Sequence, residues 1–548
     1  MKTIDAIAEI LKREGVEYLS CFPTTPVIEA AAAAGIRPII CRQERVGVGI
    51  ADGYSRVTSG EKLGVFAMQY GPGAENAYSG VATAYSDSTP LLLLPLGQTR
   101  ERQGIFPHFS SLTNYAGVTK YIEQINTADR TAGVMRRALA AIHQGRPGPA
   151  MVEIPADVAL EEVNEEAFFW GKNVRPIGFQ GDPRDIEAAA RALCNARYPV
   201  VHAGQGVLYA RATDELVEMA ELMSAPVMTT LLGKSAYPET HPLSLGSGSG
   251  VTSGPLYHFM RRADVVFGIG CSFTKHGMSM NIPPGKIMIQ ATNDPRDINK
   301  DYNIDHPIIG DARLVLRQMI EACREIVGDS KKGNQAVPQE IQSVRESWLA
   351  QWMPKLTAQE RPINPYRVIW DFMHTVAPAD AIVTHDSGSP RDQIMPFYRT
   401  NGPRTYLGWG KSHGLGTGLG LNIGAKLAAP EKVCVNFMGD AAFGMTGLDF
   451  ETAVRSGIPI ITVVLNNSTM AVETHSMQTS HQLYQTRDLG GNYADMGRAM
   501  GGYAERIEDP AEVVPAFQRA RRMTEEGRAV LLEFITSAET DYSHKRPF

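Results

Sequence analysis

Two neighbouring apolar runs of the sequence each end in side chains that bind metal ions through oxygen. Asp440 follows the run at residues 433–438, and Asn466 and Asn467 close the run at residues 458–465. Such runs predict buried parallel strands, whose carboxyl ends meet at one edge of a sheet. Carboxylate, amide and backbone carbonyl oxygens at that edge would suit Mg²⁺ or Ca²⁺ holding a diphosphate. An ordinary strand-to-helix turn is the alternative interpretation.

The residues after Asp440 favour a phosphate. Ala441, Ala442 and Gly444 are small, and we expect them to form a turn into a helix that starts near Met445. Exposed backbone N–H groups and the helix dipole at such a turn attract phosphate oxygens. A Gly-Asp pair alone is weak evidence, whereas Gly-Asp followed by Asn-Asn after a second apolar run is much stronger.

Short β-rich apolar runs alternate with helical patterns along the chain. They lie at residues 62–68, 91–96, 150–155, 199–204, 263–270, 286–291, 381–386, 432–438 and 458–465. This alternation predicts an α/β fold with parallel sheets covered by helices on both faces. Polar, proline-marked stretches near residues 163–184 and 328–362 divide the chain. We therefore predict three doubly wound domains, at residues 1–165, 185–328 and 362–548.

The first and third of these domains resemble each other. Residues 47–96 and residues 418–465 share one order of features: a glycine-rich helix, Glu-Lys, an apolar strand, a glycine turn, a helix and a second apolar strand. Any two strand-helix-strand units have some likeness, but the shared order favours two related halves flanking a different middle domain. A cleft between such halves would bind a ligand.

The overall composition excludes several classes of function. The net charge of −6 gives no electrostatic footprint for nucleic acid or an anionic membrane. No run of 18 or more apolar residues is present, so no membrane span is expected. The N-terminus has the pattern of an amphipathic helix and lacks that of a signal peptide. The six cysteines show no CxxC spacing and are expected to be buried thiols of a cytoplasmic protein.

The stretch from Gly439 to Asn467 resembles the thiamine diphosphate fingerprint, GDG followed further on by NN, with Ala441 in the third glycine position. The whole chain resembles acetolactate synthase-like and benzoylformate decarboxylase-like enzymes of that superfamily. Their cofactors would be thiamine diphosphate and Mg²⁺. The resemblance implies metal ligands at Asp440, Asn467 and Thr469, and cofactor contacts at Gly439, Asp440, Ala441, Ala442 and Asn467. The methyl group of Ala441 narrows the allowed backbone conformations.

The segment CRQERVGVGIADGYSR resembles the one that carries the cofactor-activating glutamate of these enzymes, which would be Glu44. That glutamate contacts the pyrimidine ring of the cofactor and shares a proton with it. In isolation, a surface ion pair with Arg42 or Arg45 would be the more ordinary interpretation of Glu44. The neighbouring motifs favour the catalytic interpretation.

The resemblance implies further contacts with the cofactor. The loop YGPGAENAYSG has Asn76 in the asparagine position of a GPGxxN motif. In KSHGLGTGLG, the backbone around His413 and Leu415 would meet the pyrimidine, and Leu415 takes the place of the aliphatic residue that bends the cofactor. In HDSGSP, Ser387 and Ser389 lie where relatives contact the diphosphate.

Thr25, Gln69 and His108 are the candidates for the substrate pocket. Thr25 lies near the position of a serine by which decarboxylase-like relatives bind a substrate carboxylate, and Gln69 lies where relatives use histidine. His108 is a candidate proton donor, because histidine commonly acts as a general acid. The alternative for His108 is a loop residue packed between Pro107 and Phe109.

Residues typical of the synthases are replaced at two places. Ser110 and Ser111 lie where synthases have a Phe-Gln pair, and Ser476 lies where they have a tryptophan. These differences favour decarboxylation of a 2-oxo acid, with aldehyde release or carboligation. The alternatives are an acetolactate synthase acting on pyruvate or a 2-hydroxyacyl lyase. A non-catalytic subunit that keeps the fold is the alternative from another class.

The resemblance also implies the partners of the chain. Because the superfamily places the glutamate domain of one subunit against the diphosphate domain of another, a homodimer or homotetramer is expected. A small 2-oxo acid is the expected substrate, with no nucleic acid or membrane as partner. Bound FAD is doubtful, because CSFTKHGM, residues 271–278, replaces the arginine-bearing segment of many acetolactate synthases.

Overall fold

The computed structural model describes residues 1–164, 170, 175–328, 336–546 and 548. These residues form three six-stranded sheets. All strands within each sheet are parallel, and helices connect them, so the predicted α/β fold with three doubly wound units is confirmed. Within the described ranges, no helix is both long and apolar enough to cross a membrane. The six cysteines are buried and form no disulfide in this part of the chain.

The first unit contains six strands and six α-helices. The strands are β1 (Tyr18–Cys21), β2 (Arg37–Ile40), β3 (Gly64–Met68), β4 (Leu91–Gly97), β5 (Tyr121–Gln124) and β6 (Pro149–Pro155). The helices are α1 (Thr3–Arg13), α2 (Thr25–Ala33), α3 (Glu44–Val57), α4 (Pro72–Ser86), α5 (Ser111–Tyr115) and α6 (Thr131–His143). The sheet order is β2-β1-β3-β4-β6-β5. The most apolar strands lie inside the sheet, where helices cover both faces.

The middle unit has its own sheet. The strands are β7 (Pro199–Ala203), β8 (Val227–Thr230), β9 (Ser244–Gly248), β10 (Val265–Ile269), β11 (Ile287–Thr292) and β12 (His306–Ile309). The helices are α7 (Pro183–Asn195), α8 (Gln205–Tyr209), α9 (Thr213–Met223), α10 (Gly254–Arg262) and α11 (Ala312–Val327). The sheet order is β12-β11-β10-β7-β8-β9. Helix α12 (Ala336–Leu356) leads from this unit to the third one.

The third unit carries the strands that end in Asp440 and the Asn-Asn pair. The strands are β13 (Ala381–His385), β14 (Tyr406–Leu407), β15 (Val433–Gly439), β16 (Ile461–Asn466), β17 (Tyr503–Ile507) and β18 (Val530–Ile535). The helices are α13 (Pro365–Thr375), α14 (Ser389–Ile394), α15 (Thr417–Ala428), α16 (Asp440–Thr446), α17 (Phe450–Ser456), α18 (Gln478–Tyr484), α19 (Tyr493–Ala499) and α20 (Val513–Glu525). The sheet order is β14-β13-β15-β16-β18-β17.

The strand orders relate the first unit to the third. Counted from the first strand of each unit, both of these sheets have the order 2-1-3-4-6-5, whereas the middle sheet has the order 3-2-1-4-5-6. The latter is the arrangement of dinucleotide-binding folds. The two units with similar sequences therefore share one topology, and a different unit separates them along the chain.

Helices α3 and α15 join the first and third units by direct backbone contact. A Cβ atom added to Gly53 would lie 2.2 Å from the carbonyl oxygen of Leu421. A Cβ atom added to Gly424 would lie 2.1 Å from the carbonyl oxygen of Ile50. Because no side chain fits between the helices, glycine at these positions lets the two units approach each other. This packing sets the helix that begins at Glu44 against the third unit.

Candidate functional site

Strands β15 and β16 bring Asp440 and Asn467 to one edge of the third sheet. The two strands pair in parallel, with Gly439 opposite Leu465. Asp440 follows β15 directly, and Asn467 follows β16 directly. Burial raises the pKa of the Asp440 carboxyl, and the backbone N–H of Ser468, next to Asn467, lies close enough to oppose that rise. The two apolar runs thus place their polar ends together, as the sequence predicted.

One carboxyl oxygen of Asp440 is buried without a hydrogen-bond partner. Oδ1 accepts a hydrogen bond from the backbone N–H of Ala441 at 2.8 Å, whereas Oδ2 has no partner in the described part of the chain. Burial raises the pKa of Asp440, against the opposing effect of the nearby backbone amides. A buried, unpartnered oxygen costs free energy unless a cation or a donor reaches it. Oδ2 is therefore suited to bind a cation, because it is buried and has no other partner in the described residues.

The two asparagines at the end of β16 have different environments. Asn466 is buried; its Nδ2 donates to Oε1 of Glu533 at 2.7 Å, and its Oδ1 accepts from the N–H of Ser468 at 3.0 Å. Asn467 is half-buried, and its Oδ1 accepts from the N–H of Thr469 at 3.1 Å. Asn466 holds the loop in place, which leaves Asn467 and Thr469 at the carboxyl edge of the sheet.

A metal ion at this edge would depend on mixed oxygen ligands. The residues that the structure describes contain no cluster of three or more His, Cys, Asp or Glu side chains that could hold a metal. Asp440 would provide a carboxylate, Asn467 an amide oxygen and Thr469 a further oxygen. Mg²⁺ typically binds through one or two carboxylates together with phosphate and water oxygens. The buried oxygen of Asp440 and this donor set fit Mg²⁺ bound together with a diphosphate.

The helix after Asp440 differs from the prediction. We expected residues 441–444 to form a turn before a helix near Met445, but α16 spans Asp440–Thr446. Gly439 is extended, with φ −84° and ψ 165°, and the chain enters the helix at once. The carboxyl of Asp440 supports this early start because it accepts a hydrogen bond from the N–H of Ala441, in the first turn of the helix. Ala441 lies inside the helix, where its methyl group causes no strain.

Glu44 is a buried acid at the start of α3, with 5% of its surface exposed. Nδ2 of Asn76, in the first turn of α4, donates to its Oε2 at 2.5 Å. Neither neighbouring arginine pairs with Glu44: Arg42 forms an ion pair with Glu451 at 2.8 Å, and Arg45 donates to a glutamine oxygen at 2.8 Å. The interpretation of Glu44 as part of a surface ion pair is therefore wrong.

Gln69 lies next to Glu44. A Cβ atom added to Gly73 would lie 2.9 Å from Cγ of Gln69 and 3.5 Å from Oε1 of Glu44, so the two side chains flank this glycine. Gln69 follows β3, and β1, which leads to Thr25, pairs with β3 in the same sheet. The structure therefore brings Glu44, Gln69 and Asn76 together and places Thr25 at the same sheet edge.

Thr25 and His108 are both exposed to solvent in the single chain, so neither lies inside a closed pocket of this chain. Thr25 is the first residue of α2 and is exposed, whereas its neighbour Thr24 is buried, with an unpartnered Oγ1. His108 is exposed in the loop after β4, so the interpretation of His108 as a packed loop residue is wrong. No hydrogen bond or ion pair in the described ranges joins His108 to Glu44 or Gln69. Thr24 is a polar candidate that the sequence analysis did not select.

Ser387 lies between β13 and α14, Ser389 is the first residue of α14, and both are buried. The hydroxyl of Ser389 is 2.8 Å from that of Tyr542, which lies in the segment after β18. The backbone N–H of Ser387 donates to Oδ1 of Asp386 at 2.8 Å. Tyr542 and Asp386 are residues of this site that the sequence analysis missed. The HDSGSP motif contains Asp386, but nothing in the sequence brings Tyr542, 153 positions away, to Ser389.

Asp386 organises the glycine-rich start of α15. Its two carboxyl oxygens accept from the N–H groups of Gly416 at 2.8 Å and Gly418 at 2.9 Å, in addition to that of Ser387. Burial raises the pKa of Asp386 to about 6, although these three N–H groups favour its ionised form. Asp386 thereby links the end of β13 to the turn before α15.

His413 and Leu415 are exposed in the segment that Asp386 anchors at one end. At the other end, Asp87 of the first unit accepts from the N–H groups of Gly410 at 3.3 Å and Lys411 at 3.2 Å. Backbone contacts with two buried carboxylates hold this segment, so its exposed side chains are presented on a fixed backbone. The side chain of Leu415 is 38% exposed, which leaves an apolar surface at the end of this segment.

Replacing Asp386 by Asn is expected to loosen this segment. The NH₂ group of asparagine would face a backbone N–H, so at least one charge-assisted hydrogen bond is lost, at a cost of about 2 kcal/mol. We expect a lower Tm and roughly tenfold weaker binding of thiamine diphosphate, measured by thermal melting and calorimetry. Asp380→Asn, at an exposed position of the same unit, is the matched control. Parent values of both quantities in Asp386→Asn would contradict the anchoring role.

A cavity of about 200 Å³ lies at the carboxyl ends of the middle strands. Gly204 after β7, Gly270 after β10 and Gly310 after β12 line it. Most of the CSFTKHGM segment, residues 271–278, lines it as well. The segment that makes bound FAD doubtful therefore forms part of the cavity wall. This cavity lies where the strand order of the dinucleotide-type sheet reverses, which is the usual place for a ligand in such sheets. The expectation about FAD stays a prediction.

Sequence models of one enzyme family match all three units. The thiamine pyrophosphate enzyme N-terminal TPP binding domain matches residues 1–148, the central domain matches residues 186–319, and the C-terminal TPP binding domain matches residues 386–534. Thiamine pyrophosphate is another name for thiamine diphosphate. The third match includes Asp440 and the Asn-Asn pair, and the first includes Glu44.

Individual proteins are similar along almost the whole chain. The chain is 30% identical over 545 residues to a probable acetolactate synthase large subunit of Methanococcus aeolicus, covering 95% of this chain and 90% of that protein. A probable acetolactate synthase large subunit of Methanocaldococcus jannaschii is 30% identical over 547 residues, with the same coverage. The acetolactate synthase isozyme 3 large subunit of Escherichia coli is 27% identical over 555 residues, covering 96% and 94%. The chain therefore belongs to the thiamine pyrophosphate-dependent enzymes, among their acetolactate synthase-like members.

Proposed function

We propose that this chain decarboxylates a 2-oxo acid with thiamine diphosphate and Mg²⁺, and then releases an aldehyde or joins the product to a second carbonyl. The observation that carries the proposal is the buried carboxyl of Glu44, which has Asn76 as its hydrogen-bond donor and neither neighbouring arginine as its partner. A non-catalytic subunit would have no need of such an acid. An acid buried beside a donor is available to exchange a proton with a bound ring nitrogen.

The residues of the chain would divide the work of binding and proton transfer. When bound, thiamine diphosphate would supply a nucleophile for the substrate carbonyl and an electron sink for the decarboxylation. Glu44 would hold the proton at the pyrimidine nitrogen, and Asp440, Asn467 and Thr469 would hold Mg²⁺ on the diphosphate. The N–H groups that open α16 and the hydroxyls of residues 387 and 389 would bind the diphosphate oxygens.

The cofactor site is proposed to lie between two copies of the chain, in a homodimer or a homotetramer. Exposed apolar side chains near the site segments support this assembly. They are Tyr70, Tyr78, Phe106, Leu415, Met445 and Leu448. Apolar surface of this kind is typical of a subunit interface. A second copy would also bring exposed residues such as His108 into an enclosed site.

Carboligation of two pyruvate molecules is the second candidate function. The relatives named as acetolactate synthases favour it. Against it, Ser476 is exposed where synthases have a tryptophan, and Ser110 caps α5 where they have part of the Phe-Gln pair. Neither serine offers the apolar surface that selects a second 2-oxo acid. We therefore propose decarboxylation of another 2-oxo acid as the main activity and acetolactate formation as the second candidate.

Acetolactate formation from pyruvate is expected to be slow. With thiamine diphosphate and Mg²⁺ present, a panel of 2-oxo acids is tested, and both CO₂ release and product mass are recorded. We expect acetolactate to form from pyruvate at least roughly tenfold more slowly than CO₂ is released from the best substrate. Equal rates would restore the synthase function, and no CO₂ release from any acid by cofactor-loaded protein would favour the non-catalytic subunit.

His108→Ala is expected to affect the two halves of the reaction unequally. If the exposed imidazole delivers the proton that aldehyde release requires, its loss slows that step by roughly a hundredfold, because general acid catalysis is removed. CO₂ release in the first turnover should change far less. Single-turnover measurements of both products test this, with Gln103→Ala in the same exposed loop as the control. If both steps slow equally or neither slows, the donor is another residue, with His475 and His413 as the next candidates.

A further inference from the structure

A cavity of about 180 Å³ opens where α12, α13 and the middle sheet meet, and it shares no lining residue with the candidate cofactor site. Its lining includes three aromatic side chains, Trp348, Trp370 and Phe397. Two arginines, Arg345 and Arg399, line the same cavity. Aromatic walls with a few charged groups are typical of sites for small organic ions.

The aromatic walls are held in defined positions. Trp348 stacks on Phe397 with ring centroids 4.9 Å apart and an angle of 13° between the planes. The indole N–H of Trp348 donates to the hydroxyl of Ser543 at 2.9 Å, so its polar atom is already satisfied. The Trp370 ring lies against His374 with centroids 4.3 Å apart. The Trp348 and Phe397 rings are therefore fixed in place, and the indole N–H of Trp348 is already hydrogen-bonded.

The two arginines donate to backbone carbonyl oxygens instead of carboxylates in the described part of the chain. Arg345 donates through Nη2 to the carbonyl oxygen of Ser244 at 2.6 Å, and Arg399 donates to that of Glu239 at 2.7 and 3.1 Å. Neither guanidinium forms an ion pair with any residue that the structure describes. Burial and the positive charge of Arg399 lower the pKa of Arg345 to about 10. Both side chains keep N–H groups that have no acceptor among the residues that the structure describes.

The carboxylate of Glu239, in the wall of the cavity, already has other partners. Glu239 lines the cavity, but its carboxyl oxygens are bound by the ammonium of Lys234 at 2.7 and 2.8 Å. The hydroxyl of Ser247 and the N–H of Thr400 donate to it as well, at 2.7 and 2.9 Å. The ion pair of Lys234 and Glu239 is neutral as a whole. Arg345 and Arg399 therefore leave the cavity with an excess of positive charge.

We propose that this cavity binds a small aromatic carboxylate at a site separate from the substrate and the cofactor. The ring would lie among Trp348, Trp370 and Phe397, and the carboxylate would accept hydrogen bonds from Arg345 and Arg399. The planar guanidinium group matches a carboxylate with two parallel N–H donors, which gives both strength and direction. A ligand of this kind would supply the negative charge that the two arginines lack.

The test is calorimetric titration of the full chain, saturated with thiamine diphosphate and Mg²⁺, with phenylacetate. Phenylacetamide has the same shape without the charge. We expect phenylacetate to bind at one site per chain and phenylacetamide to bind at least tenfold more weakly. Arg399→Gln should weaken phenylacetate binding at least tenfold and leave phenylacetamide binding unchanged. Arg191→Gln, on the exposed face of α7, is the matched control and should bind as the parent does.

Three results would overturn the proposal: no saturable binding of phenylacetate, equal affinity for the acid and the amide, or parent affinity in Arg399→Gln. The last result would mean that phenylacetate binds elsewhere, such as the substrate pocket. Arg345→Gln is a less secure variant, because Arg345 also holds the carbonyl of Ser244. Trp370→Leu provides an independent variant, which should weaken the acid and the amide alike because it removes the shared contact with the ring.

Discussion

Glu44→Gln is expected to lower kcat by roughly 10²- to 10⁴-fold while the fold and the affinity for thiamine diphosphate stay close to those of the parent. Glutamine has the shape of glutamate, and its carbonyl oxygen can still accept the hydrogen bond that Asn76 now donates to Oε2. What the variant loses is a group that can take up and return a proton. The effect should therefore appear in turnover and hardly in binding.

Three measurements on purified protein test the role of Glu44: the melting temperature, cofactor binding by calorimetry, and kcat with the best 2-oxo acid. Exchange of the reactive cofactor proton with D₂O should slow in parallel with kcat. Glu75→Gln, at an exposed position in the first turn of α4, is the matched control and should keep the parent rate. A Glu44→Gln enzyme with a kcat near that of the parent would refute the proton-transfer role.

Asp440→Ala is expected to weaken thiamine diphosphate binding by roughly a hundredfold, which corresponds to about 3 kcal/mol. The reason is that the buried Oδ2, which has no partner in the described protein, is the carboxylate oxygen that would hold Mg²⁺ on the diphosphate. Calorimetry on chelator-stripped protein with Mg²⁺ restored measures this loss, with Asp380→Ala as the surface control. Parent affinity in Asp440→Ala would make the metal assignment wrong.

The same variant should not reduce the stability of the cofactor-free protein near neutral pH. Because burial raises the pKa of Asp440 in the folded state, the carboxyl stabilises the fold below its unfolded pKa. This contribution is lost as the pH rises through the folded pKa, and the ionised group then opposes folding. Asp440→Ala should therefore melt at or above the parent temperature at pH 7, and the pH dependence from this carboxyl should disappear. A marked loss of Tm at pH 7 would mean that the carboxylate mainly supports the fold.

The sequence by itself determined three adjacent inner strands of each sheet. The nine apolar runs correspond to three adjacent strands in each sheet: β3, β4 and β6 in the first, β11, β10 and β7 in the middle, and β13, β15 and β16 in the third. Helices cover both faces of these strands, so most of their side chains are apolar, with a few buried polar exceptions such as Asn436 and Thr462. Such strands can be predicted from a single sequence because most of their residues are apolar.

The remaining strands, three in each sheet, were not predicted, because tertiary contacts decide them. Edge strand β2 has only one buried residue, and edge strand β17 has only two. Strand β18 lies inside the third sheet but contains Glu533, a charge that argues against a buried strand. Asn466 donates to Glu533 at 2.7 Å and the N–H of Ala494 does so at 2.8 Å, and these partners come from distant parts of the chain. Pattern alone cannot show that a buried charge has partners.

The candidate site divides in the same way. Sequence motifs and predicted strand ends identify three residues of the site: Asp440, Asn467 and Glu44. Their positions at the sheet edges follow from these local patterns together with the topology of parallel sheets. That Glu44 is buried and hydrogen-bonded to Asn76, while Arg42 pairs elsewhere, depends on how α3 and α4 pack. The contact of Tyr542 with Ser389 joins residues 153 positions apart. Only the folded chain decides such contacts, because residue type predicts which group can form a hydrogen bond and tertiary packing selects its partner.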